Sequence, residues 1–164
     1  VFEGGAWVFP GGRIDHSDYP DGASPDTPVV PANLPLLRQA AINAAIRETR
    51  EEAGLDLNPE QLIHIAHWTT PMGMSRRYAT WFFLCPLQTA ADVVVDSSEI
   101  LDHQWITPAA ALEAHSAGRL RLPVPTQHTL KRLAPHRSLT DLCAEMRTSA
   151  IHIFPENSEY CPLY

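Results

Sequence analysis

The stretch from Pro35 to Gly54 limits the fold more than any other part of this chain. It opens on a proline, which suits a first helical turn, and closes on a glycine, which suits a C-terminal cap. Leu37, Ala41, Ala44 and Ala45 recur between them at helical spacing, so a helix is predicted over 35–53. The rest of the chain must be arranged around it. Upstream, 6–9 (Ala-Trp-Val-Phe) reads as a short strand stopped by Pro10-Gly11-Gly12. Residues 13–35 hold Pro20, Pro25, Pro28, Pro31 and Pro35 among Asp, Ser and Gly, which makes them a loop. So long a loop in a small chain is usually functional or disordered.

Downstream, 62–69 and 76–84 read as strands, the second rich in Tyr, Thr, Trp and Phe, with Pro71-Met72-Gly73 turning between them. A further strand is predicted over 103–107, helices over 108–117, 126–133 and 139–147, and a last short strand over 151–154. Strands and helices interleave without an internal repeat, and that order predicts an α/β sheet covered by helices. At 164 residues and 18.2 kDa the chain is expected to be a single domain, 1–164, with 13–35 as an insertion and 108–149 as a helical C-terminal part.

Twelve Lys and Arg against nineteen Asp and Glu give a net charge of −7. A broad basic surface is therefore excluded, and nucleic acid with it as a partner. An anionic small molecule remains compatible, provided that local arginines or a metal meet its charge. The longest apolar run, Tyr78 to Leu87, suits a buried strand and falls short of the roughly 18–20 residues of a membrane span. Cys85, Cys143 and Cys161 are odd in number, far apart and free of any CxxC pair, which is neither a disulfide framework nor a zinc site. They fit a reducing cytosol, and no secretory or lipidation signal opposes a cytoplasmic location.

Chemistry concentrates in Arg47-Glu48-Thr49-Arg50-Glu51-Glu52-Ala53-Gly54-Leu55. Glu48, Glu51 and Glu52 stand at i, i+3 and i+4, so one side of one helix carries three carboxylates. Such neighbours repel by about a few tenths of a kcal/mol per pair. A hard divalent cation that prefers oxygen, Mg²⁺ or Mn²⁺, would turn the repulsion into binding. The same residues could also be a solvated face balanced by Arg47 and Arg50. The glycine-rich turn after a strand, upstream of the helix, favours the metal.

Gly12, Asp18 and Arg47-Glu48-Thr49-x-Glu51-Glu52-x-Gly54-Leu55 resemble the Nudix box, G-x5-E-x7-R-E-U-x-E-E-x-G-U with U a bulky aliphatic residue. Asp18 stands for the first glutamate and Thr49 for an aliphatic. The spacer from Asp18 to Arg47 has 28 residues instead of 7, an insertion of 21. Loop closure grows costly only slowly with length, so both ends can still meet, with Asp18 pairing Arg47. The resemblance implies a Nudix-type α/β/α sandwich with a mixed sheet and extra C-terminal helices, and a strand before the box that is either absent or upstream of Val1. It implies metal ligands at Glu48, Glu51, Glu52, Gly11 or Gly12, with Glu99 as a further acid. It also implies Arg47, Glu48 and Glu52 as the catalytic set, Glu48 or Glu52 taking the proton, and Asp18 and Gly54 as structural members of the box.

The swollen box, Trp68-Thr69-Thr70-Pro71, Arg76 to Phe83 and Pro123-x-Pro125-Thr126 are similar to the subgroup that includes the peroxisomal coenzyme A diphosphatases, although Ala79 replaces an acidic residue. The implied reaction is hydrolysis of a nucleoside diphosphate derivative, coenzyme A or an acyl-coenzyme A first. ADP-ribose, dinucleotides and nucleotide sugars are the alternatives, and a catalytically silent binding module is the rival from another class. Arg13, Arg76 and Arg77 are the cations expected at phosphates, since guanidinium matches phosphate oxygens. Trp68, Trp81, Phe82 and Phe83 are read as core, and His64, His67 and His103 as structural. A homodimer stays open.

Overall fold

The computed structural model describes residues 5–74, 76–87, 93 and 102–155. Helix α1 spans Leu34–Ala53, strands β1 and β2 Ile63–Thr69 and Ala79–Leu84, helices α2, α3 and α4 Pro108–Ser116, Val124–Leu133 and Leu139–Thr148, and strand β3 His152–Phe154. The described sheet has the order β2-β1-β3, antiparallel on one side of β1 and parallel on the other. The mixed α/β architecture expected from the sequence is therefore present.

Strand β1 is central and buried along its whole length, which is why Ile63-His64-Ile65-Ala66-His67-Trp68 lacks the strict alternation of a half-wet strand. An irregularity in register between His64 and Ala66 interrupts its pairing with β2. Such a bulge takes backbone groups out of the ladder. Here the Ile65 carbonyl accepts a 2.7 Å hydrogen bond from Arg132 Nη1 on α3. Ile63 and Ile65 meet Met146 of α4, with Phe82, Leu84, Leu142 and Cys143 around them. A second cluster joins α2 and α3 through Ala111, Leu122 and Leu130, and Trp7 and Leu120 close over it.

Two expected strands are corrected. Residues 6–9 and 103–107 form no strand among the described residues. A run of four or five residues specifies a strand only when an edge is there to pair with, and among the described residues each segment makes other contacts. Trp7 N–H donates to the Arg121 carbonyl at 2.9 Å, and Phe9 sets its ring edge-on to Phe82 at 6.5 Å. Thr107 caps α2 by accepting from Ala110 N–H at 3.3 Å. The second strand also starts later than expected, because Thr70 and Tyr78 close the hairpin by mutual bonds of 2.8 and 3.0 Å.

Beside β1, His64 lies against Trp81 and Phe83, at ring separations of 4.8 and 5.2 Å, and His67 against Trp81 at 4.9 Å. Burial pushes the His64 pKa down to about 3, with the His67 and Arg38 charges adding to it and a 3.1 Å bond to the Ala66 carbonyl opposing. The folded value lies below the unfolded one of 6.5, so the neutral ring is at no disadvantage above pH 6.5. Stability is lost as pH falls from there towards the folded value. His64→Phe should remove up to about 1.4 kcal/mol per pH unit from the pH dependence of unfolding across that window. Urea titrations at pH 7, 6 and 5 measure it, and an identical slope in the variant would contradict the assignment.

Candidate functional site

The C-terminal half of α1 carries the site. Gly54 ends the helix at φ 67°, a left-handed position that favours glycine. Its N–H bonds the Arg50 carbonyl at 3.0 Å, and Leu55 N–H bonds the Thr49 carbonyl at 3.4 Å. The preceding turn and a half thus stays regular, with Glu48, Glu51 and Glu52 in place.

The turn after Phe9 is laid onto these carboxylates. Trp7 anchors its start in the α2–α3 cluster and Phe9 rests on β2. Gly11 N–H then reaches Glu52 Oε2 at 2.8 Å. Gly12 lies so close to Glu48 that any Cβ there would collide with the carboxylate, and that close approach is what glycine provides at this position.

Arg47 ties the remaining pieces together. Its Nε and Nη2 hold the two Asp18 oxygens at 3.1 and 2.8 Å. Nη2 also reaches the Arg13 carbonyl at 2.9 Å, and Nη1 donates to Glu48 Oε1 at 2.9 Å and Glu51 Oε2 at 3.0 Å. All five guanidinium donors are then in use. Arg47 thus joins Asp18 and the Arg13 carbonyl to Glu48 and Glu51. Asp18 is only 4% exposed. Burial pushes its carboxyl pKa up, but the Arg47 hydrogen bonds, the Asp15 N–H at 2.7 Å and the Arg47 charge outweigh this and hold it below 3.8. The Arg47 pKa is raised in turn, first by its bond to Asp18.

Known proteins resemble this chain in sequence and in fold. A family model described as the NUDT19 Nudix domain matches residues 55–133. The acyl-coenzyme A diphosphatase NUDT19 of Homo sapiens is 37% identical over 94 residues, 55% of this chain and 25% of that protein. The Xenopus laevis protein of the same name is 33% identical over 81 residues, 47% of this chain and 21% of that one. The chain thus spans a quarter or less of the length of these two relatives. A crystal structure of a NUDIX hydrolase from Alicyclobacillus acidocaldarius superposes with a TM-score of 0.68 at 22% identity, covering 92% of this chain and 83% of that one. The chain has the Nudix fold. It resembles the subgroup of the coenzyme A diphosphatases. The family match starts at Leu55, where the Nudix box ends, so the box residues and the matched segment are separate supports that meet end to end.

In this Nudix fold the structure brings together Gly11, Gly12, Arg13, Asp18, Arg47, Glu48, Glu51 and Glu52. Arg76 and Arg77 sit apart in sequence, on the β1–β2 hairpin, where Arg77 Nε donates to the Thr70 carbonyl at 3.3 Å. Glu99 and Cys161 lie outside the described residues. Among the described residues no three His, Cys, Asp or Glu side chains converge as a ready metal cage. The box carboxylates are turned instead onto Arg47 and the Gly11 N–H. Their chemistry nonetheless fits a hard divalent cation. Asp15, Asp18, Glu48 and Glu51 all lie within 3.7 Å of the single Arg47 guanidinium, and Glu52 adds a fifth carboxylate on the same helix turn.

Sequence reading gave Asp15 no role and missed Asn43, and both hold Asp18. The Asp15 N–H bonds its carboxylate, and Asn43 Nδ2 bonds its carbonyl at 2.8 Å. The available signal was the four-residue spacing of Asn43 and Arg47 on one helix face. Arg47→Lys, which cannot span Asp18, Glu48 and Glu51 together, should cost about 1.5–3 kcal/mol of stability, the range for bonds to charged groups. It should also expose 13–33 to limited proteolysis. Wild-type stability and cleavage pattern in the variant would contradict this arrangement.

Proposed function

We propose that this chain is a Mg²⁺- or Mn²⁺-dependent diphosphatase that hydrolyses nucleoside diphosphate derivatives, with coenzyme A or an acyl-coenzyme A as substrate. The observation that carries the reading is the glycine turn pressed onto Glu48 and Glu52 beside an excess of carboxylate over arginine. A silent binding module has no use for clustered like charges held this close. The names of the relatives support the substrate class.

Glu48, Glu51 and Glu52, with a carbonyl of Gly11 or Gly12, would hold the metal, and Glu99 is a further acid for it. A bound Mg²⁺ or Mn²⁺ would screen the diphosphate charge and lower the pKa of a water. Glu48 or Glu52 takes a proton from the attacking water. Water adds at one phosphorus as the bridging P–O bond breaks, releasing an adenosine phosphate and a phosphopantetheine-type product. Arg13 is fixed beside the helix through its carbonyl and carries its exposed side chain to the phosphates, with Arg76 and Arg77 as further cations. Cys85 and Cys143 are free thiols, which supports a reducing compartment such as the cytosol. Among the described residues no helix is long and apolar enough to cross a membrane.

The test is a panel of coenzyme A, an acyl-coenzyme A, ADP-ribose, NADH and a diadenosine polyphosphate at alkaline pH, with products identified by mass. Preferred, metal-dependent cleavage of the coenzyme A species is expected, and Glu52→Gln should lower turnover by about 100-fold or more, as loss of a charged group from a metal site does. Preference for another member would replace the substrate and keep the chemistry. Unchanged metal-dependent turnover in the variant would contradict the site.

A further inference from the structure

The 21-residue insertion between Asp18 and Arg47 creates a mechanical problem, and α1 carries a device that meets it. With the 7-residue spacer of the uninterrupted box, the chain itself would keep Asp18 beside Arg47. With 28 residues the connection is four times as long and restrains Asp18 far less. Yet Asp18 is buried, and the Arg47 fork that it fills also sets Glu48 and Glu51.

Gln39, Asn43, Arg47 and Glu51 follow one another at intervals of four, so they form one stripe along α1. The stripe is hydrogen-bonded in two stretches, Gln39 to Asn43 and Arg47 to Glu51, which Asp18 joins. Gln39 Nε2 donates to Asn43 Oδ1 at 2.9 Å, which leaves the Asn43 amide nitrogen turned to the Asp18 carbonyl at 2.8 Å. Asp18 is thus gripped at both ends, its carbonyl by Asn43 and its carboxylate by Arg47. Arg47 continues the series to Glu51. Neither Gln39 nor Asn43 belongs to the box.

We propose that Asn43, oriented by Gln39, is a positioning residue for the proposed diphosphatase site: it fixes the first turn of the insertion so that Asp18 stays in the Arg47 fork and Arg47 keeps its hold on Glu48 and Glu51, which would bind the metal. This rests on the functional reading above. Asn43 acts through Asp18 and Arg47 and touches no reacting group.

Asn43→Leu removes the donor while keeping the branched shape and adding no charge. Gln39→Ala frees the Asn43 amide while leaving Asn43 in place, and it carries the test where Asn43→Leu fails to fold. Three quantities are read on the full chain: amide exchange at Asp15 and Asp18, Mn²⁺ affinity, and kcat and KM on coenzyme A. In Asn43→Leu, exchange at Asp15 should speed up and Mn²⁺ binding should weaken about tenfold, the lower end of what outer-shell partners of metal ligands contribute. kcat should fall with little change in KM, and Gln39→Ala should move each quantity the same way by less. Unchanged exchange, or faster exchange with unchanged Mn²⁺ affinity, would overturn the proposal and leave Asn43 a plain surface contact. If the wild-type chain turns over no diphosphate, the functional reading fails, while exchange and Mn²⁺ affinity still decide the part played by Asn43.

Discussion

Arg47 is the point where three separate pieces of chain meet: the acidic half of α1, the glycine turn that continues into Arg13, and the turn around Asp18 where the insertion begins. Its guanidinium has five donors in a fixed plane, and each has a partner on one of these pieces. A lysine has the same charge but not the fork, and could not hold a two-toothed grip on Asp18 while reaching two glutamates. Isolated surface ion pairs contribute little. This one is different because Asp18 is buried and its oxygens have no water to return to, so losing Arg47 would leave a charge without compensation.

The same arginine leaves the neighbourhood negative. One cation faces Asp15, Asp18, Glu48 and Glu51, with Glu52 one position beyond. Arg50 does not relieve this, because it pairs with Asp56 past the helix end. A helix that kept such a surplus only for solubility would not need a glycine turn laid against the Glu48 carboxylate and bonded to Glu52. Charge surplus, hard oxygen donors and a closely laid backbone are what the proposed divalent cation and diphosphate substrate would require.

Much of this was legible in the sequence. Pro35 and Gly54 bracket α1 because the rules for helix ends are local, and the box residues stand at spacings that only a helix brings to one side. Strand β1 was legible from its apolar run, and the pairing of Asp18 with Arg47 from the box itself. What failed was whatever depends on a distant partner. Residues 6–9 and 103–107 read as strands, yet Trp7 bonds the Arg121 carbonyl, Phe9 meets Phe82, and Thr107 caps α2. Asn43 looked like an ordinary polar helix residue, because nothing local says that a carbonyl 25 positions earlier will lie against it.

Arg47 can be observed directly. Side-chain ¹⁵N and carboxylate ¹³C spectra of the chain, recorded through a Mg²⁺ titration, report the Arg47 Nε–H and the carboxylates of the box together. The Nε–H should be a slowly exchanging resonance that stays in place as Mg²⁺ is added, because Asp18 keeps its hold, while the Glu48, Glu51 and Glu52 carboxylate signals, followed by ¹³C, shift together. A rapidly exchanging Arg47 Nε–H, or carboxylates indifferent to Mg²⁺, would contradict the picture of an arginine that builds the metal site without entering it.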